Sequence, residues 1–148
     1  MTTHPYLRAY LAGVLVPTLI LPLGLVAFVV VRLCLAAPFP VERAAVFPLA
    51  LIPAVWGLWN VLWLGTRPAT HLSVGAHGAV LPLLLLPAGT LIATQLGVLE
   101  LGATHVTWFQ AIHVPYALIA AAFAAVLAMY YLVWKYIVGF VNRTLDVA

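Results

Sequence analysis

Charge is scarce in this chain. Only 6% of its 148 residues are Asp, Glu, Lys or Arg, against about a quarter in an ordinary soluble domain. The acidic residues are Glu42, Glu100 and Asp146 alone, which leaves little material for acid–base catalysis. Paired catalytic carboxylates, Ser-His-Asp spacing and a glycine-rich phosphate loop do not occur, so enzymatic activity is not the expected role. Cysteine is limited to Cys34, which permits no internal disulfide and leaves the redox compartment open. The net charge of +3 comes with no basic cluster, and nucleic acid is not an expected partner.

Apolar residues make up 66% of the chain. A folded chain of this size keeps much of its surface exposed, so its solvent must be lipid. Residues 9–31, 44–66, 68–99 and 101–134 carry no formal charge, and a membrane-spanning helix needs about 20 apolar residues. The expected architecture is all-α: an integral membrane bundle of four transmembrane helices with antiparallel up-down topology. The spans fall at about 8–33, 43–65, 77–99 and 110–138 in a single domain, 1–148. Pro38 and Pro40 stop the first helix, "GTRPAT" ends the second, Gly102 marks the third turn, and Thr104 or Thr107 caps the fourth helix. The first run is too long for a cleavable signal peptide. No stretch is read as an alternating strand of a membrane barrel.

With four spans, Arg8, Arg67, Lys135 and Arg143 share one side with both termini, and Arg32 and Arg43 lie on the other. The excess of positive charge puts both termini in the cytoplasm. Tyr130, Tyr131, Trp134 and Tyr136 around Lys135 read as an interfacial aromatic belt.

Proline recurs in a Pro-x4-Pro frame at Pro17 and Pro22, Pro48 and Pro53, and Pro82 and Pro87, with Pro115 opening a fourth. Each proline inside a helix frees the carbonyl four residues earlier; for Pro17, Pro48, Pro82 and Pro115 these belong to Gly13, Ala44, Gly78 and Ala111. The spacing suggests proline-kinked helices and fits two related hairpins. It also arises by composition in a Leu/Pro/Ala-rich chain, and that reading is preferred, because Ala120 stands where a second proline of the fourth frame would fall.

Two groups of residues could carry chemistry. Trp56, Asn60 and Trp63, with Trp59 beside them, form a stripe on the second helix that could line a quinone, pigment or lipid pocket. The simpler reading is that Asn60 bonds a neighbouring helix. Thr90, Thr94, Gln95, Glu100, His105, Gln110 and His113 gather around the third connection as a candidate polar cavity, with Gln110 and His113 read one helical turn apart. The simpler reading is a wet interfacial cluster. His71 and His77 lack further ligands nearby, so no metal site is expected. No cofactor is expected, although haem ligation by His113 with a partner from another chain stays open.

Small residues form two seams that would let helices pack closely: Gly89, Ala93 and Gly97 on the third helix, and Ala117, Ala121, Ala124 and Ala128 on the fourth. The function expected is that of a multi-pass membrane protein of structural or accessory type. It would work by helix–helix contact with itself or another membrane protein. The alternatives are a small transporter or channel using the polar cluster, and a haem- or quinone-binding redox subunit.

Overall fold

The computed structural model describes residues 4–35 and 47–147. The stop at Pro38 and Pro40, the expected start of the second span near residue 43, and Ala44 lie outside the described residues. In chain order come α1 (Pro5–Leu35), α2 (Phe47–Thr70) and α3 (Val74–Gln95), then β1 (Leu99–Leu101), β2 (His105–Trp108) and β3 (Ile112–Pro115), then α4 (Tyr116–Leu132) and α5 (Gly139–Thr144). A π-helical segment, Val133–Val138, joins α4 to α5. The chain is mostly helical, and among the described residues three helical stretches are long and apolar enough to cross a membrane: Pro5–Cys34, Val74–Gln95 and Tyr116–Thr144.

Local chemistry moves several of the expected helix ends. α2 runs through "GTRPAT" to Thr70. Pro68 deletes only its own N–H bond, and the Thr66 and Thr70 hydroxyls donate to the carbonyls of Leu62 and Thr66 at 2.8 and 3.1 Å. The helix ends where His71 turns to φ 53°. α3 begins at Val74 rather than His77, because Ser73 is extended and its Oγ accepts the Ala76 N–H at 3.2 Å, an ordinary N-cap. It stops at Gln95 rather than Leu99. Gly97 sits at φ 66°, and the Gly97 and Val98 amides donate to the carbonyls of Thr94 and Ala93 at 3.1 and 2.9 Å. That is a Schellman ending with glycine in the left-handed position. Gly97 therefore closes the helix and does not extend a packing seam along it.

The largest correction falls on residues 99–115. They form a three-stranded antiparallel sheet in the order β1-β2-β3, where the last span was expected to start at about 110. The helix starts at Tyr116 and runs to Thr144, beyond the expected end at 138. Pro115 is extended at φ −62°, ψ 144° and precedes the helix, so it opens no kink within it. Gln110 and His113 do not share a helical turn. The residues alternate after all: Glu100, Thr107 and His113 pair across the strands on one face, and Leu101, Val106 and Val114 pair on the other. Such alternation suits a sheet with one face against the protein and one toward water. Phe109 and Gln110, at φ 53° and 57°, turn β2 into β3, with the Ala111 N–H donating to the Trp108 carbonyl at 3.0 Å. Positive φ at both central residues is the habit of a type I′ hairpin turn, which usually selects Asn-Gly.

Contacts between helices show that consecutive helices run antiparallel. A Cβ on Gly13 of α1 would lie 2.5 Å from the Trp56 carbonyl oxygen and 2.9 Å from the Gly57 Cα, and one on Gly57 would strike Tyr10 and Val14. The two glycines thus let α1 and α2 approach backbone to backbone. Gly78 of α3 faces the Trp134 ring, with no room for a Cβ, and Gly75 faces Lys135 and Tyr131. The core follows from these approaches. Val16, Trp56, Leu81, Trp134 and Val138 form it, all toward the end that carries the α2–α3 turn and the last residues of the chain. Away from that end the helices are exposed: Leu19, Leu23, Val26 and Val29 of α1 and Leu83, Leu84 and Leu91 of α3 lie on the surface, and α4 has no buried residue. Helices that are apolar all round and this exposed suit a lipid environment.

Two outcomes follow for unfolding in mixed detergent micelles. Gly78→Ala destabilises by about 1–3 kcal/mol, because its methyl group overpacks against Trp134. Gly89→Ala, with nothing within 4 Å of the new atom, leaves stability unchanged or raises it. In the sheet, Gln110→Gly relieves a non-glycine residue at positive φ and stabilises by roughly 0.5–1 kcal/mol; a loss of stability would contradict the turn geometry.

Candidate functional site

The stripe on α2 meets a matching row on the last helix. Trp134, Val138 and Asn142 are all buried at four-residue spacing. In a regular α-helix such a row drifts by about 80° over eight residues. The π-helical segment has wider turns, with i→i+5 bonding, and so rotates less per residue and holds the row on one face. Trp56 packs on Trp134 with ring centroids 5.2 Å apart, and on Tyr130 at the same distance.

One turn further on, Asn60 faces Asn142, and both are 0% exposed. The Asn60 amide donates to the Asn142 Oδ1 at 2.8 Å and to the Ala9 carbonyl at 2.7 Å. Asn142 Nδ2 donates back to the Asn60 Oδ1 at 3.1 Å. One amide pair therefore ties α1, α2 and α5 together. Fully buried amides gain little from each bond but lose more if left unpaired, so this pairing sets the register of three helices. Asn142 was not singled out from the sequence. It lies past the expected end of the last span and beside Arg143, where an amide reads as solvated.

The other tryptophans of the stripe close the α2–α3 turn. Trp59 Nε1 donates to the His77 carbonyl at 2.9 Å, and the rings of Trp59 and His77 lie 4.6 Å apart. Trp63 Nε1 donates to the Leu72 carbonyl at 3.1 Å. The Arg67 guanidinium stacks 5.4 Å above the Trp63 ring. Trp56, Asn60 and Trp63 are buried against their neighbours and Trp59 is half-buried; Asn60, Trp59 and Trp63 donate hydrogen bonds, whereas the Trp56 Nε1 has no partner among the described residues.

The polar cluster is divided between a helix and the sheet. The Thr94 hydroxyl donates to the Thr90 and Leu91 carbonyls at 3.0 and 2.8 Å, so it is satisfied within α3. Gln95, Glu100, Gln110 and His113 are exposed, and His105 is half-buried. Glu100, Thr107 and His113 line up across the three strands, with the His105 and His113 rings 5.1 Å apart. Together these groups form the polar face of the sheet. Among the described residues, no group of three or more His, Cys, Asp or Glu is placed to hold a metal ion.

The seams also part company. Gly89 and Ala93 line an apolar cavity of about 280 Å³ between α3 and the sheet, closed in part by Leu85, Leu99 and Trp108. Ala117, Ala121, Ala124 and Ala128 are exposed. Phe123, Val126, Leu127 and Tyr130 are half-buried and mark the face of α4 that looks inward, so the alanines occupy the opposite face at helical spacing.

The amide pair is asymmetric, and its asymmetry is measurable. Asn60→Asp removes two donated bonds and sets a carboxylate against two acceptors. Asn142→Asp removes one donated bond and still accepts from Asn60. The first variant is expected to lose about 1–3 kcal/mol more stability than the second in detergent unfolding; the reverse order would mean that the two amides are oriented the other way.

No protein-family model matches the chain, and neither a curated protein nor a solved structure is similar to it.

Proposed function

We propose that this is a four-span membrane protein of structural or accessory type, which acts by offering the outer face of α4 to another transmembrane helix. The observation that carries the reading is the alanine seam: Ala117, Ala121, Ala124 and Ala128 lie on the face of α4 turned away from its own chain. Lipid tails are as apolar as leucine, so helices associate in membranes where small side chains let backbones come close and dispersion acts over a long contact. A smooth alanine face on a helix with no buried residue supplies that approach. The occupant is a second copy of this chain or another membrane protein, met helix against helix.

On this reading α2 completes the bundle as the remaining span, paired with α1. Both termini lie in the cytoplasm. Arg8 donates to the Leu145 carbonyl at 3.2 Å, Arg67 and Arg143 line one cavity, and Lys135 packs near Gly75. These cations share one end of the packed helices, and positive charge favours the cytoplasmic face.

Native mass measurement of the full chain in mild detergent tests the role. The wild-type chain should carry the mass of a dimer or of a co-purifying partner. Ala121→Leu and Ala124→Leu should lose that mass while helicity is kept. A chain that runs as a monomer at all concentrations with no partner, or a proton flux in proteoliposomes that Glu100→Gln abolishes, would overturn the reading in favour of the transporter.

A further inference from the structure

The basic end of the protein contains a cavity that the amide clasp and the alanine seam leave unused. It measures about 740 Å³ and lies where the end of α2, the start of α3 and α5 meet. Arg67 and Arg143 line it from different helices, with His71 and Ser73 from the turn between α2 and α3, Trp63 at the side and Asn142 at the base. Among the described residues, no carboxylate lines it. Arg67 is held by its stacking on Trp63, so one guanidinium is already in place before any ligand arrives. The buried amide of Asn142 is occupied by Asn60, which makes the base of the cavity rigid. Val74, the first residue of α3, also lines the cavity, so the positive end of that helix dipole lies beside it.

We infer that this cavity binds the phosphate of an anionic phospholipid headgroup. Two guanidinium groups with no carboxylate among the described lining residues attract a phosphate, which arginine recognises through paired hydrogen bonds. The depth suits a headgroup. Lys135 lies 5.5 and 5.2 Å from the Tyr131 and Tyr136 rings, and aromatic side chains beside a lysine mark the membrane–water boundary. Basic pockets between transmembrane helices on the cytoplasmic side are a recurrent setting for anionic headgroups. The inference rests on the membrane placement of the chain but not on the helix–helix role of α4, and the seam variants leave the cavity intact.

The full chain is reconstituted in nanodiscs of phosphatidylcholine containing a minor share of phosphatidylglycerol, and the lipids retained after release are counted by native mass spectrometry. Phosphatidylglycerol should be retained in preference to phosphatidylcholine. Arg67→Gln and Arg143→Gln should each lower that preference about fivefold, and the pair of changes about twenty-five-fold. Arg67→Lys with Arg143→Lys keeps the charge but loses the paired hydrogen bonds and the stacking on Trp63, and should leave a preference between those of the wild type and the double glutamine variant. Arg32→Gln removes the same charge about 36 Å along α1 from Arg8 and should change nothing. Leu72→Glu, which places a carboxylate at the cavity without removing an arginine, should lower retention and tests the site even where the glutamine variants fold poorly. The absence of any preference for phosphatidylglycerol would overturn the inference, as would an Arg32→Gln effect equal to that of the cavity arginines. Arginine-dependent binding of inorganic phosphate in pure phosphatidylcholine discs, with no retention of phosphatidylglycerol, would assign the cavity to a free anion and overturn the lipid assignment.

Discussion

Asn60 and Asn142 exchange hydrogen bonds in both directions, and the spare Asn60 donor reaches the Ala9 carbonyl. In water such a pair would contribute little, because each amide could bond to solvent instead. Both side chains are fully buried by protein, so that alternative is missing, and the arrangement in which all three groups are satisfied excludes neighbouring registers of α1, α2 and α5. The surrounding packing depends on that register. Gly13 and Gly57 meet only if α1 and α2 keep it, and Trp56 reaches Trp134 only if the last helix does. Membrane helix contacts of this polar kind average only about 0.6 kcal/mol. The close glycine and tryptophan approaches therefore supply most of the cohesion, and the amides supply its alignment.

This division of labour explains why the core lies at one end. Gly13, Gly57, Gly75 and Gly78 and the buried row Trp134, Val138 and Asn142 all fall there. The π-helical segment belongs to the same device, since it keeps that row facing the neighbouring helices. At the other end the helices present leucine, valine and alanine outward, and the chain leaves α3 through a small sheet before entering α4. The sheet puts its polar groups on one face and Leu99 and Val106, both buried, on the other. The apolar face rests on the end of α3 and the polar one is left for water.

The parts legible in the sequence were those written in composition and period. Charge-free runs marked where long apolar helices lie, although the last run also holds two strands, and a lone asparagine within an apolar helix announced that a partner was needed. The partner itself was hidden. Asn142 sits next to Arg143 near the end of the chain, and no periodicity reveals a π-helical segment that carries a row one turn further. The sheet was written in the alternation of "HVTW" and "IHVP", but its hairpin turns at Phe-Gln, where the usual Asn-Gly signal is absent. A strongly apolar setting then made the alternation look like the start of a helix. Gly89, Ala93 and Gly97 show a further limit. Spacing alone placed all three on one seam, whereas Gly97 is a helix terminator at positive φ. The alanines of α4 had a legible spacing, but only the packing of Phe123 and its neighbours gives the direction in which they face.

The claim on which the rest depends is that Asn60 and Asn142 act as a unit. A double-mutant cycle with Asn60→Ala, Asn142→Ala and the double variant, followed by unfolding in mixed detergent micelles, measures this directly. A coupling energy of about 1 kcal/mol or more is expected, with the double variant less destabilised than the sum of the two singles, because the second deletion removes a group already left unpaired. Single effects that add within about 0.3–0.5 kcal/mol would show that the two amides are independent and would contradict the account.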